Sequence, residues 1–300
     1  MNIDLWMAAL ILASVYILLS LAFSITTSTT DAPNFSIGPL MTIGAYQSFI
    51  LANIMNLPVY LSLPLALIIG FLFNSGIYYL VIKPLTDKNR SKELIVLATL
   101  ALSIALTGLV QISAYWLRDF FKIYTFVFLL KKYDFKIGSA PGIFFVSGLI
   151  VFLVYLIWRH IYLETRLGIS YRAILENPCL AQVQGVNIKR TWLWMWGLSG
   201  SLAFLGGAIC PLWYSVTAGA QIITPVIAAS LLGGLKNPWG SFIGGLFVGV
   251  SEIMLITFAV EKLGNWVGEY RPLIPIFILV LVLCFKPEGL LGSKNQHNKL

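Results

Sequence analysis

Nine apolar stretches separated by short polar breaks fill most of the sequence, at about residues 5–25, 35–55, 58–82, 93–117, 141–162, 191–214, 222–235, 240–260 and 271–285. A hydrocarbon layer about 30 Å thick needs about 20 apolar helical residues, so this repetition dictates an all-α polytopic membrane protein. Composition agrees: 58% of the residues are hydrophobic and 11% charged, and the mean hydropathy is +0.86, values outside those of soluble domains. We expect one membrane domain over residues 1–290 with about 8–9 membrane segments, some broken or re-entrant, and a polar tail over 291–300. The first run has no basic leader and no small-residue cleavage site, so it reads as a retained span.

The net charge of +8 does not point to nucleic acid, because the basic residues sit at the ends of apolar runs, where they set orientation. Lys83, Lys88, Arg90 and Lys92 occupy one break; Arg159, Arg166, Arg172, Lys189 and Arg190 bracket another, two spans later. Both breaks therefore share a side, read as cytoplasmic. The break at 118–140 is then external, although Arg118, Lys122, Lys131, Lys132 and Lys136 lie in it. Its stretches KIYTFVFLL and YDFKIGS partly alternate apolar with polar residues, the pattern of a surface β-hairpin or a segment on the lipid surface.

Catalytic constellations are scarce. His160 and His297 are the two histidines, without partner spacing for zinc or for a nucleophile and its base. Cys179, Cys210 and Cys284 lie too far apart in character to form a disulfide framework. No GxxxxGK[ST] occurs, so ATP-driven work requires another subunit. The chain reads as a non-enzyme without metal or cofactor of its own.

The polar residues within apolar runs carry more information. Glu252, in GGLFVGVSEIMLITF, would cost about 3 kcal/mol as a bare charge at a helix centre, so it must face protein or water. It reads either as part of a solute path or proton site, or as a hydrogen-bonded packing residue. Thr99, Ser103, Thr107 and Gln111 recur every four residues, a polar stripe expected to face the bundle interior. Asn34, Ser36 and Gly38 lie in DAPNFSIGPL, and Gly233, Gly234 and Gly240 flank GGLKNPWG; such Gly- and Pro-rich breaks belong in protein or along a cavity, where helix ends offer N–H donors to a solute. Close helix packing explains the glycines equally well.

The ordered set NFSIGPLMTIGAY, KPL, LATLALS, ETRLGISYRAILENPCLAQVQGVNIKR, FLGGAI, LLGGLKNPWGSFIGGLFVGVSE and FKPEGLLG resembles the permease subunits of branched-chain amino-acid ABC importers, the shorter of the two paired permeases above all, over nearly the whole chain. The resemblance implies a type II importer-like helical fold in the cell membrane and a heterodimer with a second permease. It also implies two cytoplasmic ATP-binding subunits, which hold ATP and Mg, and an external solute-binding protein. It makes residues 164–190 a cytoplasmic coupling loop, with Arg172, Ala173, Glu176, Ala181, Gly185 and Asn187 at the matching positions. Asn34, Phe35, Ser36, Gly38, Thr99, Ser103, Gly233, Gly234, Gly240 and Glu252 become candidates for the translocation path. From the residues alone, SYRAILENPCLAQVQG is a short helix between Ser170 and Gly185, or else a solvated loop. The chain departs from the family's NFAHGE pattern at Asn34–Pro39, where the His and the acid are missing, and has Ala101 where glycine is common. That leaves branched-chain amino acids beside urea and other small polar solutes. A proton-coupled secondary transporter built on Glu252, or a channel-like protein without energy coupling, are the competing functions.

Overall fold

The computed structural model describes residues 3–87, 91–138, 140–218, 222–286 and 288–291; Lys88, Arg90, His297 and the expected tail after Leu291 lie outside them. Every apolar run forms a helix. In chain order these are α1 (Ile3–Thr30), α2 (Ile37–Asn53), α3 (Ser62–Ile77), which continues through a π turn at Tyr78–Ile82 into α4 (Lys83–Asp87), and α5 (Lys92–Phe121). Two short strands, β1 (Val127–Phe128) and β2 (Lys136–Ile137), lead through β3 (Ala140–Pro141) to α6 (Gly142–Glu164), α7 (Arg166–Glu176), α8 (Pro178–Val183) and α9 (Ile188–Ile209). After β4 (Val216–Thr217) come α10 (Ile223–Gly233), α11 (Pro238–Leu263) and α12 (Leu273–Phe285).

Among the described residues, six helical stretches are long and apolar enough to cross a membrane: Ile3–Thr30, Val59–Asp87, Lys92–Phe121, Gly142–Glu164, Ile188–Leu212 and Pro238–Leu263. α2, α10 and α12 are shorter. The all-α polytopic membrane fold is thus plain, with six helices of spanning length among the described residues and shorter apolar helices beside them.

Hydroxyl and glycine content decides which helices lie inside. Lipid gives apolar helices no reason to associate, so packing and interhelical hydrogen bonds sort them. The most apolar windows of α1 and the α9 span are 89% and 83% buried, against 22% for α5 and α6. α1 carries Ser20 and Ser24, and these bond across to the turns and helices around it. Ser20 Oγ donates to the Ser241 carbonyl at 3.0 Å, Ser230 Oγ to the Ser20 carbonyl at 3.1 Å, and Ser199 Oγ to the Ala22 carbonyl at 2.9 Å. Such bonds contribute about 0.6 kcal/mol each in a membrane, so their number matters more than any one. Gly245 and Gly249 of α11 meet the backbone of Ile17 and Ala13 of α1, which draws these two helices together.

Two expectations for the breaks are corrected. The 118–140 stretches do not form a hairpin with each other: β1 pairs antiparallel with β4, and β2 with β3. Short strands in a loop took the nearest unpaired edge, and the segment after α9 supplied it. The polar stripe on α5 also does not stay inside. A spacing of four residues advances about 40° beyond a full turn, so Thr99 is buried, Ser103 and Thr107 are half-buried, and Gln111 is exposed.

The pairing of ends is as expected. Lys189 bonds Asp87 at 2.7 Å, which joins the two basic breaks at one end of the bundle. The 118–140 segment lies at the other end of α9, where the Leu130 N–H donates to the Pro211 carbonyl. Some of its basic residues rest on aromatic faces, Lys131 at 4.0 Å from the Trp213 ring and Arg118 at 5.1 Å from that of Tyr115. Cation–π contact gives these charges favourable partners.

Candidate functional site

The polar island between α6 and α9 is two helices and not one. α7 starts at Arg166, ahead of Ser170, with Thr165 as its cap accepting from the Gly168 N–H at 3.2 Å. A side chain at 168 would strike the Ile161 carbonyl, so glycine permits the sharp turn out of α6. Asn177 then breaks the helix, because the residue before a proline is driven out of the helical region. Its side chain caps α8 by accepting from the Cys179 and Leu180 N–H groups at 3.1 and 3.2 Å. Gly185 ends α8 with φ +86°, a conformation that suits glycine alone. Asn187 caps α9, accepting from the Arg190 N–H at 3.0 Å.

This unit is anchored on one face and bare on the other. Tyr171 and Ile174 are fully covered; the Tyr171 hydroxyl hydrogen-bonds Ser28 Oγ of α1, and its ring meets Trp158 and Tyr162 edge-on. Tyr162 in turn contacts Trp239, the second residue of α11, at 5.7 Å. Ala181 is buried within the loop itself, so it braces α8 and does not face outward. Arg172 lies over the Tyr162 ring at 5.4 Å, and Ala173 and Glu176 flank it on the same helix. The exposed apolar side chains of α8 are Leu180 and Val183, at 61% and 86% exposure. Their hydrophobicity was legible in the sequence, but the break at Pro178 that presents them was missed.

One turn away, the chain between α1 and α2 is also non-helical. Asp31, at φ +54°, bonds Lys92 of α5 at 2.7 Å and also Lys236 of the α10–α11 turn. Burial alone would raise its pKa, yet hydrogen bonds and charge from the two lysines hold it below the ordinary value. Asn34 is fully buried; its Oδ1 accepts from the Ser36 N–H at 3.0 Å and the Ser36 hydroxyl at 2.6 Å, while its Nδ2 has no partner among the described residues. Thr99 Oγ1 donates to the Pro33 carbonyl at 3.2 Å. Thus Asn34, Ser36 and Thr99 converge, beside a half-buried Phe35 and a buried Gly38 with open space where a side chain would begin. Ser103 lies one turn further along α5, and its carbonyl accepts from Thr107 at 2.8 Å.

The remaining candidates lie elsewhere. Gly233 and Gly240 pack backbone to backbone where α10 turns into α11, and Gly234 makes that turn at φ +107°. Glu252 is also buried, 4% exposed, with two partners that offset the cost of burying it. Tyr16 donates its O–H to Oε2 at 2.8 Å and Arg271 its Nε–H to Oε1 at 2.6 Å. Arg271 was missed in the sequence. Its signal was a basic residue at the start of an apolar run. No group of three His, Cys, Asp or Glu side chains suits a metal ion among the described residues.

Comparison with known proteins places this architecture. The model of the family described as branched-chain amino acid transport system / permease component matches residues 6–283. The probable branched-chain amino acid transport permease protein LivH of Methanocaldococcus jannaschii is 32% identical over 95% of this chain and 90% of its own length. The high-affinity branched-chain amino acid transport system permease protein BraD of Pseudomonas aeruginosa is 25% identical over 94% and 93%. In fold, the chain is similar to one in the solved structure of PsaBC from Streptococcus pneumoniae in complex with Fab. The TM-score is 0.50 at 15% identity, covering 96% of this chain and 94% of that one. The chain is a multi-pass membrane transport protein and belongs to the family of branched-chain amino acid transport system permease components.

Proposed function

We propose that this permease subunit imports branched-chain or related small amino acids across the cell membrane, delivered by an external solute-binding protein and driven by two cytoplasmic ATP-binding subunits. A second permease completes the membrane part, and ATP and Mg reside on the ATP-binding partners. The observation that carries the reading is the α7–α8 unit: bare apolar residues Leu180 and Val183 on one side, and Tyr171 bonded to central helix α1 on the other. A chain without a P-loop uses ATP only through mechanical contact with a chain that has one. Residues 164–190, with Arg172, Ala173, Glu176, Ala181, Gly185 and Asn187, form the coupling loop in this reading, which faces the cytoplasm. Closing ATPases push α7, and Tyr171 and Tyr162 pass the movement to α1 and α11.

The path in this reading runs along the cluster of Asn34, Phe35, Ser36, Gly38, Thr99 and Ser103, with Glu252 further along. Gly233, Gly234 and Gly240 serve as the pivot of the α10–α11 hairpin. The fixed ion pair with Arg271 supports a structural role for Glu252 beside the path over a proton carrier. Reconstitution with the ATP-binding subunits, the second permease and the binding protein tests the proposal: uptake of leucine, isoleucine or valine that depends on both ATP and this chain is expected. ATP-independent uptake driven by a proton gradient would overturn it.

A further inference from the structure

At the end of the bundle opposite the coupling loop, a cavity of about 300 Å³ opens between α1, the end of α9, the start of α10 and the approach to α12. Most of its wall is apolar, with the aliphatic Val15 and Ile276 among the contributors, and the Glu252–Arg271 pair forms its charged side. This cavity lies within the size range of small-molecule sites and has their character, an apolar shell with a few placed polar groups.

The arrangement around Arg271 is specific. Its Nε–H is taken by Glu252 at 2.6 Å, and the carboxylate is itself steadied by the Tyr16 hydroxyl. The Tyr214 ring backs the guanidinium at 5.3 Å, and the Tyr214 hydroxyl is tied to the Ala8 carbonyl at 2.7 Å. Among the described residues nothing accepts a hydrogen bond from the two terminal nitrogens. A guanidinium held by one edge and one face presents its remaining fork in a fixed direction, and that fork matches a carboxylate in bidentate geometry. Arg271 is about one-third exposed, so an anion reaching it keeps part of its hydration. Glu252 acts as a positioning residue: it orients the guanidinium and does not itself meet the solute.

We propose that this cavity is a solute subsite for small aliphatic carboxylates, the carboxylate on the terminal nitrogens of Arg271 and the aliphatic chain against Val15 and Ile276. It rests on the permease reading and adds that the carboxylate, not the amino group, decides recognition by the membrane subunit. The test is binding of tritiated leucine to the assembled permease–ATPase complex in nanodiscs without binding protein, with ATP-driven uptake measured on the same complex with binding protein added. Competition by 4-methylpentanoate but not by leucinamide is expected. Arg271→Lys, which keeps charge but loses the fork, should weaken binding at least tenfold, and Ile276→Trp, which fills the cavity without touching the ion pair, should abolish it. Thermal stability of each variant establishes folding. Equal competition by leucinamide, wild-type binding in both variants, or no leucine binding by the wild type would overturn the subsite. If uptake is normal in any of those cases, the subsite alone fails; absent ATP-driven uptake would remove the permease reading beneath it.

Discussion

The Tyr171 hydroxyl of α7 is hydrogen-bonded to Ser28 Oγ of α1, which ties a helix outside the membrane bundle to the most enclosed helix within it. Ser28 also donates to carbonyls of its own helix, at 2.6 Å to Ser24 and 3.0 Å to Ile25, so losing Tyr171 does not strand it. Tyr171→Phe is therefore expected to cost only about 1 kcal/mol of stability. Its effect on coupling should be larger, because this bond joins α7 directly to α1. The ratio of solute taken up to ATP hydrolysed should fall severalfold, and parallel assays of the two rates check it. An unchanged ratio would show that α7 transmits through its aromatic neighbours alone.

Glu252 and Arg271 should behave as a unit. Removing one partner of a buried ion pair costs about 3–5 kcal/mol, and the partial exposure of Arg271 places this pair at or below the lower end. Glu252→Gln and Arg271→Met are each expected to lower thermal stability by about 2–3 kcal/mol, and the double variant by clearly less than their sum. A double-mutant cycle from denaturation midpoints measures the coupling. Uptake by Glu252→Gln should not recover on lowering the external pH; recovery would favour a proton carrier.

The two ends of the bundle give opposite labelling. The Asp87–Lys189 pair puts the two basic breaks together, and Lys131 on Trp213 puts the 118–140 segment at the far end. In intact cells an impermeant thiol reagent is expected to modify a cysteine at Lys132 and to spare one at Lys189, in a background lacking native cysteines. The reverse pattern would invert the orientation.

How far the sequence revealed this depended on the range of the interaction. Hydropathy is local, so all nine apolar runs were visible; burial is not, and α1 looked like any other span although it is the centre of the bundle. The hint was SITTSTT, whose hydroxyls at Ser24, Ser28 and Thr29 bond across to Leu235, Tyr171 and Trp196. The segment 164–190 was legible as a polar island, whereas its division at Asn177–Pro178 needed proline's effect on the preceding residue to be weighed against helical periodicity. Arg271 could not be paired with Glu252 from spacing, because the 3₁₀ turn Asn265–Tyr270 folds the chain back between them. Nor does periodicity bring β1 to β4, with four α-helices between them in sequence.

Asp31 gives a pH signature. Its pKa is lower in the folded chain than the ordinary 3.8, so its bonds to Lys92 and Lys236 stabilise fully above that value. The contribution is lost as pH falls through the folded pKa. Because the groups are well exposed, the effect should stay below about 1 kcal/mol. Thermal stability measured from pH 6 down to pH 3 should fall less steeply in Asp31→Asn than in the wild type. Parallel curves would show that this carboxylate contributes nothing.

In the proposed reading, docking of an ATP-binding subunit depends most directly on Leu180 and Val183, the bare apolar residues of α8. The decisive measurement is the amount of ATP-binding subunit that co-purifies with the tagged chain when both are replaced by aspartate. The expected result is a monodisperse, membrane-inserted permease that has lost at least nine-tenths of its ATP-binding partner and all ATP-driven uptake. Full retention of the partner, with normal uptake, would contradict the assignment of this loop as the point of coupling.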